Sequence, residues 1–188
     1  MFYTYEQLEN FGFKTFGKNV LISDKCSIYG ADKIEIGSDI RIDDFCVLSA
    51  GDGGIKIGNN VHIAIYSSLQ GKGRITLDDF VGISSRVSIY SSNDDYFGRY
   101  MTNPTIPSQF TGVIYGDVTI CKHVIVGCGS VILPNVILNM GCAVGSLSLV
   151  NTDCDELYIY GGNPLKKLFK RYDNFLKLEK EFLKLKNI

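Results

Sequence analysis

Residues 55–90 read IKIGNNVHIAIYSSLQGKGRITLDDFVGISSRVSIY, and within this stretch an aliphatic residue returns at every sixth position. These positions are Ile57, Ile63 and Leu69, and then, after one longer step, Leu77, Ile83 and Ile89. A period of six matches neither the repeat of an α-helix nor the alternation of an ordinary strand. Hexapeptide repeats are typical of a parallel β-helix, in which three hexads complete one coil.

The same pattern extends in both directions from this stretch. Its other members are Phe16, Ile22, Ile28, Ile36, Ile42 and Leu48, and then Ile120, Val126, Ile132, Leu138, Val144 and Val150. Every longer step follows a third hexad, so the insertions are expected at one corner of the coil. Residues 16–89 predict four coils and residues 120–150 predict two more, with a partial seventh near Ile159. Stacked coils of this kind bury a continuous aliphatic core.

The sequence therefore predicts an all-β solenoid over residues 16–163, with a long loop over 90–119 and a cap at each end. Residues 1–15 predict a short capping helix that ends near Gly12, because open coils expose sheet edges. Residues 164–188 carry apolar side chains at helical spacing. They predict a C-terminal helix that begins at Pro164, with Asn163 as its cap.

Composition narrows the classes of function. The net charge is -1, and no cluster of basic residues indicates a nucleic-acid partner. No apolar run reaches the roughly 18 residues that a membrane span needs. No signal peptide is recognisable at the N-terminus, which favours a cytoplasmic protein. The six cysteines lack the spacing of a zinc site, so we expect no metal and interpret them as small apolar side chains.

Two motifs lie towards the C-terminus. Residues 126–134 read VGCGSVILP, and residues 160–166 read YGGNPLK. With the hexad repeat, they resemble the hexapeptide-repeat acyltransferases, whose fold is a left-handed parallel β-helix, over roughly residues 12–170. The resemblance implies a homotrimer that binds acyl-CoA in the groove between neighbouring subunits. It implies a cofactor site formed by Gly127, Ser130, Gly145, Ser146, Asn163, Pro164 and Lys166.

The catalytic base of the family is replaced in this chain. Sugar O-acetyltransferases of the family read VGIAPNVxIYTxxH, and the final His is their base. Residues 81–94 read VGISSRVSIYSSND, which aligns without a gap and brings Asp94 to the His position. A carboxylate can accept the proton that an amine nucleophile releases as the C–N bond forms. Residues 91–96 resemble N-acyltransferases of nucleotide-linked amino sugars, including the enzyme of anthrose biosynthesis.

This resemblance implies acyl transfer from acyl-CoA to the amino group of a dTDP-linked sugar in surface glycan biosynthesis. The sugar implied is dTDP-4-amino-4,6-dideoxyglucose, and the acyl group is acetyl or a branched hydroxyacyl. Asp94 is the expected base, with Asp95 as either an alternative base or a residue that holds the loop. Ser84 is expected to stabilise the tetrahedral intermediate, unless it is only a small turn residue.

Further residues are weaker candidates for contacts with the diphosphate or the sugar. They are Asp95, Tyr90, Arg86, Arg99, His62 and His123. Two other functions remain open at this point: a sugar O-acetyltransferase with an unusual base, and a catalytically inactive β-helix that serves as a scaffold.

Overall fold

The hexad residues point inward along three parallel sheets that wind into a β-helix. The computed structural model describes residues 1–186, and in it Ile22, Ile63 and Leu77 are completely buried. The interior is one continuous hydrophobic cluster that includes residues of the hexad repeat from every coil. These repeating inward residues are called the ladder below. The prediction of an all-β solenoid with a helix near each end is confirmed.

Each sheet collects one short strand from each successive coil. The first sheet contains Thr15–Phe16, Ile34–Ile36, Ile55–Ile57, Ile75–Leu77, Val118–Ile120 and Val136–Leu138. The second contains Val20–Ile22, Ile40–Ile42, His62–Ile63, Gly82–Ile83, Ile125–Val126, Ala143–Val144, Tyr158–Gly161 and Lys166–Lys170. The third contains Ser27–Tyr29, Val47–Ala50, Ser68–Gly71, Ser88–Tyr90, Val131–Ile132 and Leu149–Val150.

The long insertion does not interrupt the stack of coils. Leu77 pairs with Ile57 in the coil before it and with Ile120 in the coil after it. In the third sheet, Ile89 pairs with Ile132 in the same way. Residues 91–117 therefore leave the solenoid and return to it at the register that an uninterrupted repeat would have.

Tight corners join the sheets, and most of them use a residue in the left-handed region of φ. The corner between the second and third sheets has Phe45, Tyr66, Arg86 and Leu147 in this conformation. Side chains other than Gly and Asn adopt it rarely. The repetition of this conformation at equivalent positions places those four side chains along one edge of the solenoid.

The N-terminal helix α1 (Tyr5–Asn10) covers the first coil. Thr4 caps it, since the Thr4 hydroxyl accepts a hydrogen bond from the Gln7 N–H and the Gln7 side chain accepts one from the Thr4 N–H. Leu8 is buried against the ladder. Gly12 follows the helix with a φ of 70°, a conformation that favours glycine.

The C-terminal segment differs from its prediction in two respects. Residues 166–170 form a strand, antiparallel to Tyr158–Gly161, and the helix α2 starts only at Asn174 and runs to Lys186. This strand pairs with the free backbone N–H and C=O groups at the edge of the last coil. Pairing of these groups outweighs the helical spacing of the apolar residues. The inward position of the partial coil is Tyr160, which pairs with Val144, rather than Ile159. The last two residues of the predicted helix lie outside the described residues.

Candidate active site

The loop that follows the strand Ser88–Tyr90 of the third sheet is closed at its base by backbone pairing. Ser92–Asn93 pairs antiparallel with Ile114–Tyr115, and the Gly116 N–H donates to the Ser91 carbonyl at 3.1 Å. A 3-10 helix, Ser108–Phe110, lies within the loop. The two ends of the loop therefore meet on the solenoid, and residues between them project as one body beside the third sheet.

The two adjacent aspartates of this loop have different surroundings. Asp95 is buried, and its carboxylate accepts backbone N–H groups from Phe97 at 3.0 Å, Arg99 at 2.6 Å and Tyr100 at 3.0 Å. These hydrogen bonds, the one from Phe97 first, hold the pKa of Asp95 below its usual value. With its lone pairs directed at the loop backbone, Asp95 organises the loop. This geometry does not fit the expectation that it is an alternative base or a substrate contact.

Asp94 has a much freer carboxylate. The side chain is half-buried, and among residues 1–186 its one hydrogen bond is a long one, 3.4 Å from the Asn103 N–H to Oδ2. It lines an open cavity of about 600 Å³ between the third sheet and the loop, together with Tyr90 and Asn93. A carboxylate in this setting can still accept a proton from a bound molecule, which Asp95 cannot do without breaking the loop.

The candidates Tyr90 and Arg99 lie differently with respect to this cavity. Tyr90 ends the strand Ser88–Tyr90 and forms part of the cavity wall. Arg99 is exposed on the loop, where its guanidinium lies 5.4 Å from the ring centre of Phe97. The predicted contribution of Tyr90 therefore agrees with its position, whereas Arg99 does not line this cavity.

Ser84 lies on the outer face of the second sheet, in a separate depression of about 290 Å³ that it shares with His62. Gly82 lies opposite His62 in the neighbouring coil, and its lack of a side chain leaves this space open. The backbone of Ser84 is fixed, since its N–H donates to the Val126 carbonyl and its own carbonyl accepts from the Ser67 hydroxyl. Within residues 1–186 its hydroxyl has no hydrogen-bond partner and is available to a ligand.

His62 is held in this depression by a neighbouring carboxylate. Its Nε2 atom lies 2.8 Å from Asp43 Oδ2, and Arg41 Nε donates to Asp43 Oδ1 at 2.7 Å. Burial raises the pKa of Asp43, but the hydrogen bonds from Arg41 and His62 outweigh it, so the pKa lies below its usual value. His62 therefore adjoins Ser84, as a residue that contacts substrate would, whereas it does not line the Asp94 cavity.

His123 belongs to another part of the molecule. It is almost buried under helix α2, with Nε2 at 2.8 Å from Glu179 Oε2 and its ring stacked on Phe80 at 5.0 Å. The ring of Phe175 also packs against it, with the ring centres 4.8 Å apart. The prediction that His123 touches substrate does not fit this position, because the ring already anchors the C-terminal helix.

The predicted cofactor residues divide into buried and exposed groups. Ser130 is completely buried, and its hydroxyl donates to the Gly145 carbonyl at 3.0 Å. It supports the stacking of coils and is no ligand contact, which corrects the prediction. Gly127 allows coils to approach closely, since a Cβ atom there would lie 2.5 Å from the Ser146 nitrogen. Gly145 is half-buried and Ser146 is exposed, so these two remain accessible from outside.

The remaining predicted cofactor residues lie in the turn after the last coil. Asn163, Pro164 and Lys166 are all exposed, and Lys166 pairs with Gly161 across the antiparallel strands. The adjacent Lys167 bonds Asp155 at 2.7 Å, whereas the ammonium group of Lys166 has no such partner within residues 1–186. A free ammonium group beside the exposed backbone of the last coils suits an anionic ligand.

Three structural findings complete the description of residues 1–186. No helix among them is long and apolar enough to cross a membrane. No three His, Cys, Asp or Glu side chains in this part of the chain are close enough to hold a metal ion. The six cysteines are free, and four of them, Cys26, Cys46, Cys142 and Cys154, are buried.

Sequence reasoning missed residues that shape both regions. Asn103, whose N–H contacts Asp94, lies in a loop where no periodic signal is available. Asp43, which holds His62, follows the ladder residue Ile42 directly, at the position that Ser84 occupies after Ile83. The repeat itself could have revealed Asp43, because residues at equivalent positions of neighbouring coils lie next to each other.

The chain is similar to several characterised proteins, although no family model matches it. It is 54% identical over 176 residues to the dTDP-4-amino-4,6-dideoxy-D-glucose acyltransferase of Escherichia coli. The alignment covers 94% of this chain and 92% of that protein. It also resembles AntD, an N-acyltransferase from Bacillus cereus solved in complex with dTDP and 3-hydroxybutyryl-CoA. The two chains are 46% identical, with a TM-score of 0.95 and coverage of 100% and 98%.

A more distant likeness concerns the fold alone. A hexapeptide-repeat acetyltransferase from Vibrio cholerae, solved in complex with acetyl coenzyme A, superposes with a TM-score of 0.65 at 19% identity. The match covers 90% of this chain and 76% of that one. The repeat, the solenoid and the two close relatives agree: the chain belongs to the family of left-handed β-helix, CoA-dependent acyltransferases that includes the sugar N-acyltransferases.

Proposed function

We propose that this enzyme transfers an acyl group from acyl-CoA to the 4-amino group of dTDP-4-amino-4,6-dideoxyglucose, for the synthesis of a surface glycan. The E. coli relative is named for this sugar, and AntD has been solved with the same sugar and coenzyme A. The observation that carries the proposal for this chain is the free carboxylate of Asp94. It replaces the histidine of the O-acetyltransferases and faces an open cavity.

The reaction requires two proton transfers: the amine nitrogen loses a proton, and the sulfur of the leaving CoA gains one. The neutral amine attacks the thioester carbonyl carbon, and Asp94 accepts the proton that nitrogen loses as the C–N bond forms. The C–S bond then breaks, and the CoA thiolate leaves and takes up a proton. An amine is a sufficient nucleophile when neutral, so a carboxylate with a low intrinsic basicity can serve here where a hydroxyl substrate needs a stronger base.

Ser84 is proposed to stabilise the oxyanion of the tetrahedral intermediate. Its hydroxyl is free to donate, and its backbone is fixed between two coils, as an oxyanion donor requires. In a single chain, Ser84 and Asp94 line different depressions. Their separation supports a site completed by a neighbouring subunit, in which the two surfaces face each other across a groove.

A homotrimer would also cover the apolar surface of the loop. Tyr96 and Phe97 are 85% and 81% exposed, and Ile114 and Tyr115 are 60% and 58% exposed. Several large, exposed apolar side chains on one loop are the kind of surface that a subunit interface covers. In the proposed trimer, the acyl-CoA nucleotide lies near Gly145, Ser146 and Lys166, whose exposed backbone and ammonium group suit amides and phosphate.

Thiol release with each of two acceptors, and without acceptor, tests the proposal. Purified enzyme is mixed with acetyl-CoA or 3-hydroxybutyryl-CoA, and free thiol is followed with the amino sugar nucleotide, with the matching hydroxy sugar nucleotide, and without acceptor. Thiol release with the amino sugar alone is expected. Release with the hydroxy sugar would instead indicate an O-acetyltransferase, and no release with any acceptor would indicate an inactive scaffold.

The role of Asp94 is tested with two variants. Asp94→Asn keeps the shape and removes the proton acceptor, and loss of a general base typically lowers the rate by about 10²–10⁴-fold. Asp32→Asn is the matched control, since it makes the same change at an exposed aspartate in the 3-10 helix Ala31–Lys33, at an earlier corner of the solenoid. If Asp94→Asn keeps more than about a tenth of kcat, the base lies elsewhere.

A further inference from the structure

Four side chains stack along the corner between the second and third sheets, one from each of four successive coils. This corner column consists of Lys25, Phe45, Tyr66 and Arg86. The two rings lie 5.2 Å apart and are nearly parallel, at 10°. The Lys25 ammonium lies 5.3 Å from the Phe45 ring centre, and the Arg86 guanidinium lies 5.2 Å from that of Tyr66. Each ring is about half exposed, at 46% and 47%.

The two cationic ends of the corner column differ in their partners. Lys25 donates to the Asp44 carboxylate at 2.9 Å, so its charge is already neutralised within the chain. Arg86 is exposed, and residues 1–186 offer its guanidinium neither a hydrogen-bond acceptor nor a carboxylate. An arginine in water usually samples many rotamers, but the face of Tyr66 restricts this one. The donors of Arg86 are therefore oriented in advance and unsatisfied.

The column ends at Arg86, on the same coil as the proposed oxyanion donor Ser84. Arg86 is two residues after Ser84 and has a φ of 58°, so the corner itself directs its side chain outward. The equivalent position of the next coil is Gly129, whose N–H donates to the Ser85 carbonyl at 3.0 Å. A glycine there means that no further ring extends the column, and the guanidinium is its terminal group.

We propose that the stacked rings of Tyr66 and Phe45 act as positioning residues that present Arg86 to a phosphate group of one substrate, and that Lys25, which is paired with Asp44 at the far end of the column, has no part in this. This inference rests on the proposed function. A planar guanidinium donates two parallel hydrogen bonds to a phosphate, and it does so best when its orientation is already fixed. Both substrates carry a diphosphate, so the chemistry alone leaves two sources, the nucleotide sugar and acyl-CoA.

Substitutions at Tyr66 and Arg86 separate the contribution of the Tyr66 ring to ligand binding from that of the Arg86 charge. Tyr66→Phe keeps the stacking surface, Tyr66→Leu removes it, and Arg86→Gln removes the charge. Lys25→Gln is the control, because it removes a cation from the opposite end of the same column. For each protein, the affinities for dTDP and for CoA are measured separately by calorimetry, and KM is measured for the amino sugar nucleotide and for acyl-CoA.

The expected result is selective weakening of one ligand. Tyr66→Leu should raise its Kd and KM by about five- to tenfold, with a much smaller change in kcat, since the ring only orders the side chain. Tyr66→Phe and Lys25→Gln should match the wild type. The double variant Arg86→Gln/Tyr66→Leu should bind no worse than Arg86→Gln alone, because the ring acts through the guanidinium. The weakened ligand identifies the source of the phosphate.

Several outcomes would overturn the inference. They are equal affinities of wild type and Tyr66→Leu for both ligands, additive losses in the double variant, or a loss in Lys25→Gln as large as that in Tyr66→Leu. If Tyr66→Leu fails to fold, Arg86→Lys replaces it, since lysine keeps the charge and loses the planar fork, and unchanged binding would again refute the proposal. A wild type that binds dTDP and CoA but does not acylate the amino sugar would contradict the proposed function alone.

Discussion

Replacing Asp95 by Asn should loosen the loop and leave Asp94, the proposed proton acceptor, in place. The Asp95 carboxylate accepts three backbone N–H groups, from Phe97 on Oδ1 and from Arg99 and Tyr100 on Oδ2. An amide retains a single acceptor oxygen, so at least one of the three bonds is lost, and those that remain lose their charged partner. A hydrogen bond to a charged group corresponds to roughly ten- to a hundredfold in an equilibrium constant.

Amide hydrogen exchange measures this effect directly. The N–H groups of residues 97, 99 and 100 should exchange about ten- to a hundredfold faster in Asp95→Asn, while those of the ladder strands stay unchanged. Asp94→Asn is the matched control and should leave the loop amides protected, because within residues 1–186 the Asp94 carboxylate makes only one hydrogen bond, and that bond is long. The kcat of Asp95→Asn should fall less than that of Asp94→Asn.

The same contacts predict how the loop responds to pH. The pKa of Asp95 lies below its usual value in the folded protein, so its stabilising effect is complete above the pKa of an unfolded aspartate and disappears as the pH falls through the folded pKa. Loop protection should therefore hold from neutrality to about pH 4 and decline below it. Unchanged exchange in Asp95→Asn, together with a loss of kcat equal to that of Asp94→Asn, would refute this reasoning and make Asp95 the base.

Three further predictions concern the scaffold. Gly127→Ala should lower the free energy of unfolding by about 1–3 kcal/mol, because its Cβ would lie 2.5 Å from a backbone nitrogen. Gly82→Ala, whose Cβ would have its nearest contact at 3.8 Å, should be nearly neutral, and thermal melts compare the two variants. Arg171→Met should cost about 2 kcal/mol in the same assay, since the carbonyls of residues 123, 141 and 142 lose their donor. Burial raises the pKa of Cys26 to about 12 and of Cys46 to about 11, so both should resist alkylation at neutral pH until denaturant is added.

The hexad period was sufficient to predict the solenoid because each ladder residue has a single possible direction, inward. Where the repeat ends, competing forces take over. Leu168 and Phe169 have helical spacing, yet they lie in the strand Lys166–Lys170 because the last coil offers unpaired backbone groups. Tyr160 replaces an aliphatic residue at the inward position, so a search for aliphatic residues favours its neighbour Ile159.

The site was less predictable than the fold, because side-chain environment depends on contacts between coils. Ser130 matches a family motif, but its hydroxyl is directed into the interior, where a neighbouring carbonyl accepts it. Asp94 and Asp95 are adjacent and chemically identical in the sequence, and only the loop backbone distinguishes them. The spacing of Phe45 and Tyr66 weakly indicates that they stack with Arg86 at one corner. They lie 41 and 20 residues before Arg86, close to whole numbers of coils.

The closed base of the loop makes the loop residues independent of the packing of the coils. Ser91 and Gly116 meet on the solenoid, and the coils on either side keep their register across the inserted residues. Insertions, deletions or exchanges between these two residues can therefore change the loop, and the cavity that Asp94 lines, without any rearrangement of the core. The coils would keep their register while the changes stay confined to a single surface segment.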